Sequence, residues 1–223
     1  MNKLICGIDE AGRGPVIGPM VLACAVFDEA GAEELKKLKV RDSKKIARKR
    51  RESLEPEIKK IALEFHTVAV SPYEIDKMRK EMSLNVIEAL YVSKLILKLE
   101  TKPDVIIIDA ADASPERYKN KIINFVRERN KDFDMPIISE HKADDTYIEV
   151  SGASVLAKVE RDRDIKKLIG KFGDFGSGYP SDAKTQEFLK KLMQDGELPD
   201  FVRKSWNTVK QSRVQTSLLQ WKT

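Results

Sequence analysis

Apolar positions in this chain follow two patterns, short unbroken runs and longer stretches with helical spacing. Leu4–Asp9 (LICGID) and Met20–Phe27 (MVLACAVF) are short apolar runs and predict two strands, joined by a glycine-rich segment. Phe65–Val70 (FHTVAV) predicts a third strand, stopped by Ser71-Pro72. Asp104–Asp109 (DVIIID) is continuous in the way of a strand covered on both faces. Met135–Glu140 (MPIISE) predicts a fifth.

Helical spacing fills the intervals. Ala32–Lys39 and Ala47–Glu64 read as helices, the second interrupted or bent near Pro56. Ser83–Glu100 opens on a good N-cap and is apolar on most faces, as a centrally buried helix would be. Pro115–Asn130 follows with its proline near the first helical position. Val150–Phe172 is a long helix ending near Gly173, and a glycine-rich loop separates it from Ala183–Gly196 and a basic helical tail. The order predicts an α/β fold, a mixed five-stranded sheet flanked by helices. It divides into a catalytic domain over 1–175 and a helical C-terminal appendage over 176–223.

Charge adds a partner class to this outline. The net charge is only +5, but ten basic residues against four acids fall between Lys39 and Lys60, and five against none between Phe201 and Thr223. Such blocks point to a phosphate-bearing partner, although a solvated helix face produces the same pattern. Cys6 and Cys24 lie in apolar runs without a CxxC spacing, so they read as small buried hydrophobes in a reducing compartment. With no signal peptide and no apolar run of about 18 residues, the expected location is the cytoplasm, away from membranes. No oligomerisation stripe stands out, and a monomer is the default.

Carboxylates recur where apolar runs stop. Asp9 and Glu10 end the first, Asp109 ends the fourth, and Asp144 lies between the fifth and the long helix. Strand ends are where α/β sheets assemble ligand sites. Each acid alone reads as a cap or a solvated turn, but carboxylates crowded together repel one another and call for a cation. All-oxygen ligands favour Mg²⁺ or Mn²⁺ over zinc, and with only His66 and His141 in the chain no histidine cluster competes. Metal-assisted phosphoryl chemistry is the natural use of such a set. The glycine segment fails as a phosphate cradle. Gly7 to Arg13 spells G-x4-G-R where a Walker motif needs lysine, and Gly12, Gly14 and Gly18 are wrongly spaced for a dinucleotide fingerprint.

The stretches GIDEAGRGPVIGPMV, DSKK at Asp42–Lys45, HKADD, SGASVLAKVERDRDI and GSGYPSD occur in this order from Gly7 to Asp182. Together they resemble archaeal-type ribonuclease HII, the type 2 ribonucleases H. The resemblance implies a divalent-metal endonuclease with an RNase H-like fold. It would hydrolyse the RNA strand of RNA–DNA hybrids and nick DNA duplexes 5′ of embedded ribonucleotides, leaving 3′-hydroxyl and 5′-phosphate ends. It implies Asp9, Glu10, Asp109 and Asp144 as catalytic, metal-binding acids, with Asp112 and Asp145 as the alternatives in register. It also implies that the Gly12-Arg13-Gly14 backbone reads the ribose 2′-hydroxyl and that Tyr179 stacks on the following sugar. Ser43, Lys44, Lys158 and Arg161 are candidate phosphate contacts, for which an exposed charged face is the alternative. Gly152 departs from the family's usual alanine and suggests a helix start or close packing near Asp144. The tail QTSLLQWKT resembles a sliding-clamp-binding box through Gln215, Leu218 and Trp221, and an ordinary terminal helix packed on the body is the rival reading. Two other classes stay open on the residues alone, a non-catalytic nucleic-acid binder and another polynucleotidyl transferase on the same fold.

Overall fold

The computed structural model describes residues 3–40, 46–196 and 198–211. Five strands form one sheet in the order β3-β2-β1-β4-β5. They are β1 (Ile5–Ala11), β2 (Met20–Phe27), β3 (Glu64–Val70), β4 (Val105–Asp109) and β5 (Ile137–Glu140). β1 runs antiparallel to β2 and parallel to β4, and β4 runs parallel to β5, so the sheet is mixed as expected. All eight residues of β2 are buried, which its unbroken apolar run requires.

The helices are α1 (Glu29–Lys37), α2 (Arg48–Ile61), α3 (Pro72–Met78), α4 (Leu84–Ile96), α5 (Pro115–Arg127), α6 (Ala143–Thr146), α7 (Ile148–Phe172) and α8 (Ala183–Gln194). Pro56 neither ends α2 nor divides it, and the helix runs from Arg48 to Ile61 with the proline inside. Ser83 holds the N-cap position of α4 without a side-chain hydrogen bond. That helix is apolar on nearly every face, and its one fully buried acid, Glu88, accepts a hydrogen bond from the buried Tyr118 hydroxyl of α5. α3 has no apolar periodicity to announce it. Its signal is Ser71-Pro72-Tyr73-Glu74, and a capping box is present, with Ser71 and Glu74 satisfying each other's backbone N–H.

By contacts the chain forms two compact units. The first comprises residues up to Ala11, Val21–Ala69 and Ser83–Glu160, and the second Gly12–Met20, Val70–Met82 and the chain from Arg161. In the first unit Phe27, Leu35, Leu54, Ile58, Val155 and Leu156 make one core. Gly152 lies within α7, not at its start, and a Cβ there would come within 3.1 Å of the Phe27 ring. Its close packing is therefore against β2 rather than near Asp144. Gly7 is tighter still, because a Cβ would collide with the backbone of Glu149 at the beginning of α7. Cys6 and Cys24 are buried and not joined in a disulfide.

The second unit has its own core around Val16, Ile17, Phe175, Leu189, Phe201 and Val202. Backbone hydrogen bonds stitch its loop in place, from Val16 N–H to Gly178 C=O (2.8 Å), Gly18 N–H to Phe201 C=O (2.9 Å) and Arg203 N–H to Val16 C=O (2.8 Å). Among the described residues no helix is long and apolar enough to cross a membrane.

Candidate active site

In the first unit, β1 and β4 are parallel neighbours paired up to Ile8 and Ile108, so Asp9 and Asp109 follow side by side just beyond that pairing, each still within its strand. Asp9, Glu10 and Asp109 each offer a carboxylate oxygen, and these lie within 4.8 Å of one another. Adjacent strand residues normally face opposite sides. Glu10 joins the group from within β1, one residue before the strand ends at Ala11 and the glycine loop begins.

Hydrogen bonds hold this arrangement. The Glu10 N–H donates to Asp9 Oδ1 at 2.7 Å, and the Ala143 N–H donates to Asp109 Oδ1 at 2.8 Å. The second bond ties α6, which carries Asp144, to the end of β4. Asp144 is 1% exposed, whereas its neighbour Asp145 is exposed. Asp144 does not enter the 4.8 Å group; it follows Ala143, whose N–H binds Asp109, and its backbone carbonyl accepts from Ser151 Oγ. Asp112 belongs elsewhere. Lys121 (2.8 Å) and Arg117 (3.3 Å) take its carboxylate, and the Lys121 hydrogen bond holds its pKa well below the usual carboxylate range.

Burial pushes the Asp9 carboxyl up from 3.8 to about 6, helped by the neighbouring Asp109 charge and opposed by Lys158 and a hydrogen bond with Ser154. Lys158 donates to Ser154 Oγ at 2.6 Å. Its charge also lowers the Asp9 pKa, a role its place in a charged helix pattern does not reveal. A carboxyl that resists ionisation in a crowd of carboxylates suits a site completed by a cation, and three convergent carboxylate oxygens suit a hard divalent ion.

In the second unit the loop is built around Gly12, whose φ of +80° favours glycine and whose Cβ would sit 2.6 Å from Arg161 Cδ. Arg161 is largely buried, lies 5.8 Å from the Tyr179 ring centre, and loses basicity through desolvation. Tyr179 is 41% exposed, and its ring edge is 3.3 Å from where a Gly14 Cβ would stand. The structure thus brings Gly12, Gly14, Arg161 and Tyr179 together, with Arg13 half-buried between the two glycines. Ser43, Lys44, Gln215, Leu218 and Trp221 lie outside the described residues.

Sequence reasoning missed Arg203. It is wholly buried and donates to the carbonyls of Gly12, Arg13 and Gly18. Its partners are 185 to 191 residues away, and nothing in FVRKSW marks it apart from the tail's other basic residues.

The ribonuclease HII family profile matches residues 6–209. Ribonuclease HII of Thermococcus onnurineus is 46% identical over 207 residues, 92% of this chain and 88% of the relative. The crystal structure of ribonuclease H2 from Pyrococcus horikoshii OT3 superposes with a TM-score of 0.87 at 40% identity, covering 96% of this chain and 99% of that one. A PCNA:RNase HII complex from Archaeoglobus fulgidus contains a chain with a TM-score of 0.81 at 40% identity, covering 92% and 95%. The strand-end acids, the glycine loop and this likeness along nearly the whole length lead to one conclusion: the chain belongs to the ribonuclease HII family and is an endoribonuclease of the ribonuclease H type, acting on RNA–DNA hybrids.

Proposed function

We propose that the chain hydrolyses the RNA strand of RNA–DNA hybrids in a reaction dependent on Mg²⁺ or Mn²⁺, and nicks DNA duplexes on the 5′ side of an embedded ribonucleotide. The observation that carries this reading is the convergence of Asp9, Glu10 and Asp109 carboxylate oxygens within 4.8 Å. These three residues would hold the cation, with Asp144 completing the set. A divalent ion so held supplies Lewis acidity to the scissile phosphate and acidifies a bound water.

The chain's own residues prepare that site. Ala143 N–H fixes the Asp109 carboxylate, and Glu10 N–H fixes that of Asp9. Lys158 offsets part of the negative charge, so Asp9 gives up its proton below neutral pH and stands ready as an anion. The backbone of Gly12-Arg13-Gly14 would test for a ribose 2′-hydroxyl, the group that separates RNA from DNA. Tyr179, exposed beside Gly14, would stack on the sugar that follows. Ser43, Lys44, Lys158 and Arg161 would meet phosphates along the duplex. The tail carrying Gln215, Leu218 and Trp221 would bind a sliding clamp, a reading supported by the clamp complex of the Archaeoglobus relative.

The test uses a DNA duplex with one ribonucleotide, incubated with the protein and Mg²⁺. The expected product is a single nick 5′ of that nucleotide with 3′-hydroxyl and 5′-phosphate ends. An intact duplex would overturn the substrate reading. A nick that survives Asp109→Asn would overturn the assignment of the acids.

A further inference from the structure

A buried guanidinium whose hydrogen-bond partners among the described residues include no carboxylate is costly unless each of its nitrogens finds an acceptor. Arg203 meets that condition in an unusual way. Nε donates to Gly18 C=O at 3.0 Å, Nη1 to Arg13 C=O at 2.7 Å and Nη2 to Gly12 C=O at 2.5 Å. One residue further along the loop, Gly14 C=O accepts from Trp206 Nε1 at 3.1 Å. The Trp206 ring lies 4.8 Å from the Arg203 guanidinium, so the two side chains form one block. Asp76 secures that block from α3 by accepting the backbone N–H groups of Lys204 (2.6 Å) and Ser205 (3.0 Å).

Three consecutive carbonyls, of Gly12, Arg13 and Gly14, are thereby turned to one side. No peptide bond in the described chain is cis. In a trans peptide unit the C=O and the following N–H point in opposite directions. The N–H groups of Arg13 and Gly14 are therefore directed away from Arg203. Only arginine can do this from one position, because its planar fork carries five donors, while a lysine ammonium is a compact point charge.

We infer that Arg203 and Trp206 are positioning residues for ribonucleotide specificity: by holding the three carbonyls on the inner side of the loop they present the Arg13 and Gly14 N–H groups to the ribose hydroxyl oxygen. This rests on the reading above that the loop senses the 2′-hydroxyl. Loss of the block leaves the acids untouched and lets the loop peptides rotate, which blurs RNA against DNA.

The experiment measures duplex affinity in an Asp109→Asn background with Mg²⁺, using two duplexes that differ by one 2′-hydroxyl. The quantity is the ratio of the two dissociation constants, which a general loss of stability in the folded fraction does not move. Arg203→Met lowers the preference for the ribonucleotide duplex about tenfold and leaves all-DNA affinity unchanged; Arg203→Lys falls between. Trp206→Phe keeps the ring, removes the bond to Gly14 and lowers the ratio about threefold. Because Trp206 is only partly buried, this variant decides the matter if Arg203→Met does not fold. An unchanged ratio in a folded variant, or an equal loss for both duplexes, overturns the inference. A parent protein that shows no preference overturns the loop reading itself and the inference with it, an outcome that the nicking assay separates from failure of the nuclease assignment.

Discussion

Asp9→Asn should abolish nicking and yet stabilise the metal-free fold, in a pH-dependent way. Burial and the Asp109 charge raise the folded carboxyl from 3.8 to about 6. Below the unfolded pKa both states carry the proton and the group contributes nothing. As the pH climbs from there towards 6, the unfolded chain releases its proton first, so the wild-type fold loses stability; above 6 the deficit is constant. About two pH units at about 1.4 kcal/mol each gives about 3 kcal/mol. For a chain of this size that is a shift of about 6–12 °C in melting temperature. The assay is thermal or urea unfolding of both proteins in EDTA across pH 4 to 8. The advantage of the variant should grow up to pH 6 and then level off. Mg²⁺ should stabilise the wild type at pH 7.5 and have little effect on Asp9→Asn. A stability difference that is flat with pH would refute the argument, since it would mean that Asp9 ionises as easily in the fold as out of it.

Three further outcomes follow from the same geometry. Lys158→Met removes the charge that draws the Asp9 pKa down, so the acidic limb of the pH–kcat/KM profile should move to higher pH; an unmoved limb would contradict the coupling. Tyr179→Phe should retain cleavage at a single ribonucleotide while Tyr179→Ala raises KM by about five- to a hundredfold, the worth of one stacking contact; equal losses in both would show that the hydroxyl, not the ring, matters. Deleting Val214–Thr223 should abolish binding to an immobilised sliding clamp and spare nicking of a short duplex, and loss of folding instead would support a tail packed on the body.

Much of the sheet and part of the site were legible because apolar runs that stop at a carboxylate are local signals. β4 ends at Asp109 for that reason, while β1 runs two residues past Asp9 to Ala11 along β2; the parallel pairing of β1 with β4 then places the acids together. Register was harder to read. HKADD offers two adjacent aspartates, and only the fold shows that Asp144 is buried and Asp145 exposed. Pro56 does not interrupt α2, although a proline within a helix is costly in isolation, because α2 buries Leu54 and Ile58 on either side of it. α3 was overlooked although its capping box is written in four residues, because no apolar period follows. Arg203 was beyond reach of any local reading, since every carbonyl it holds is supplied from the other end of the chain.

Gly7 carries a consequence out of proportion to its size. It offers no side chain to the site, but it lets the backbone of β1 lie directly against the start of α7, the helix that brings Ser154 and Lys158 to Asp9. Any side chain there acts as a spacer: it lifts the helix from the strand and moves the lysine's charge away from the carboxyl it tempers. The pH at which the centre becomes ready is thus set in part by a residue with no functional group. A substitution at position 7 should therefore present as an altered pH optimum as well as a weaker fold.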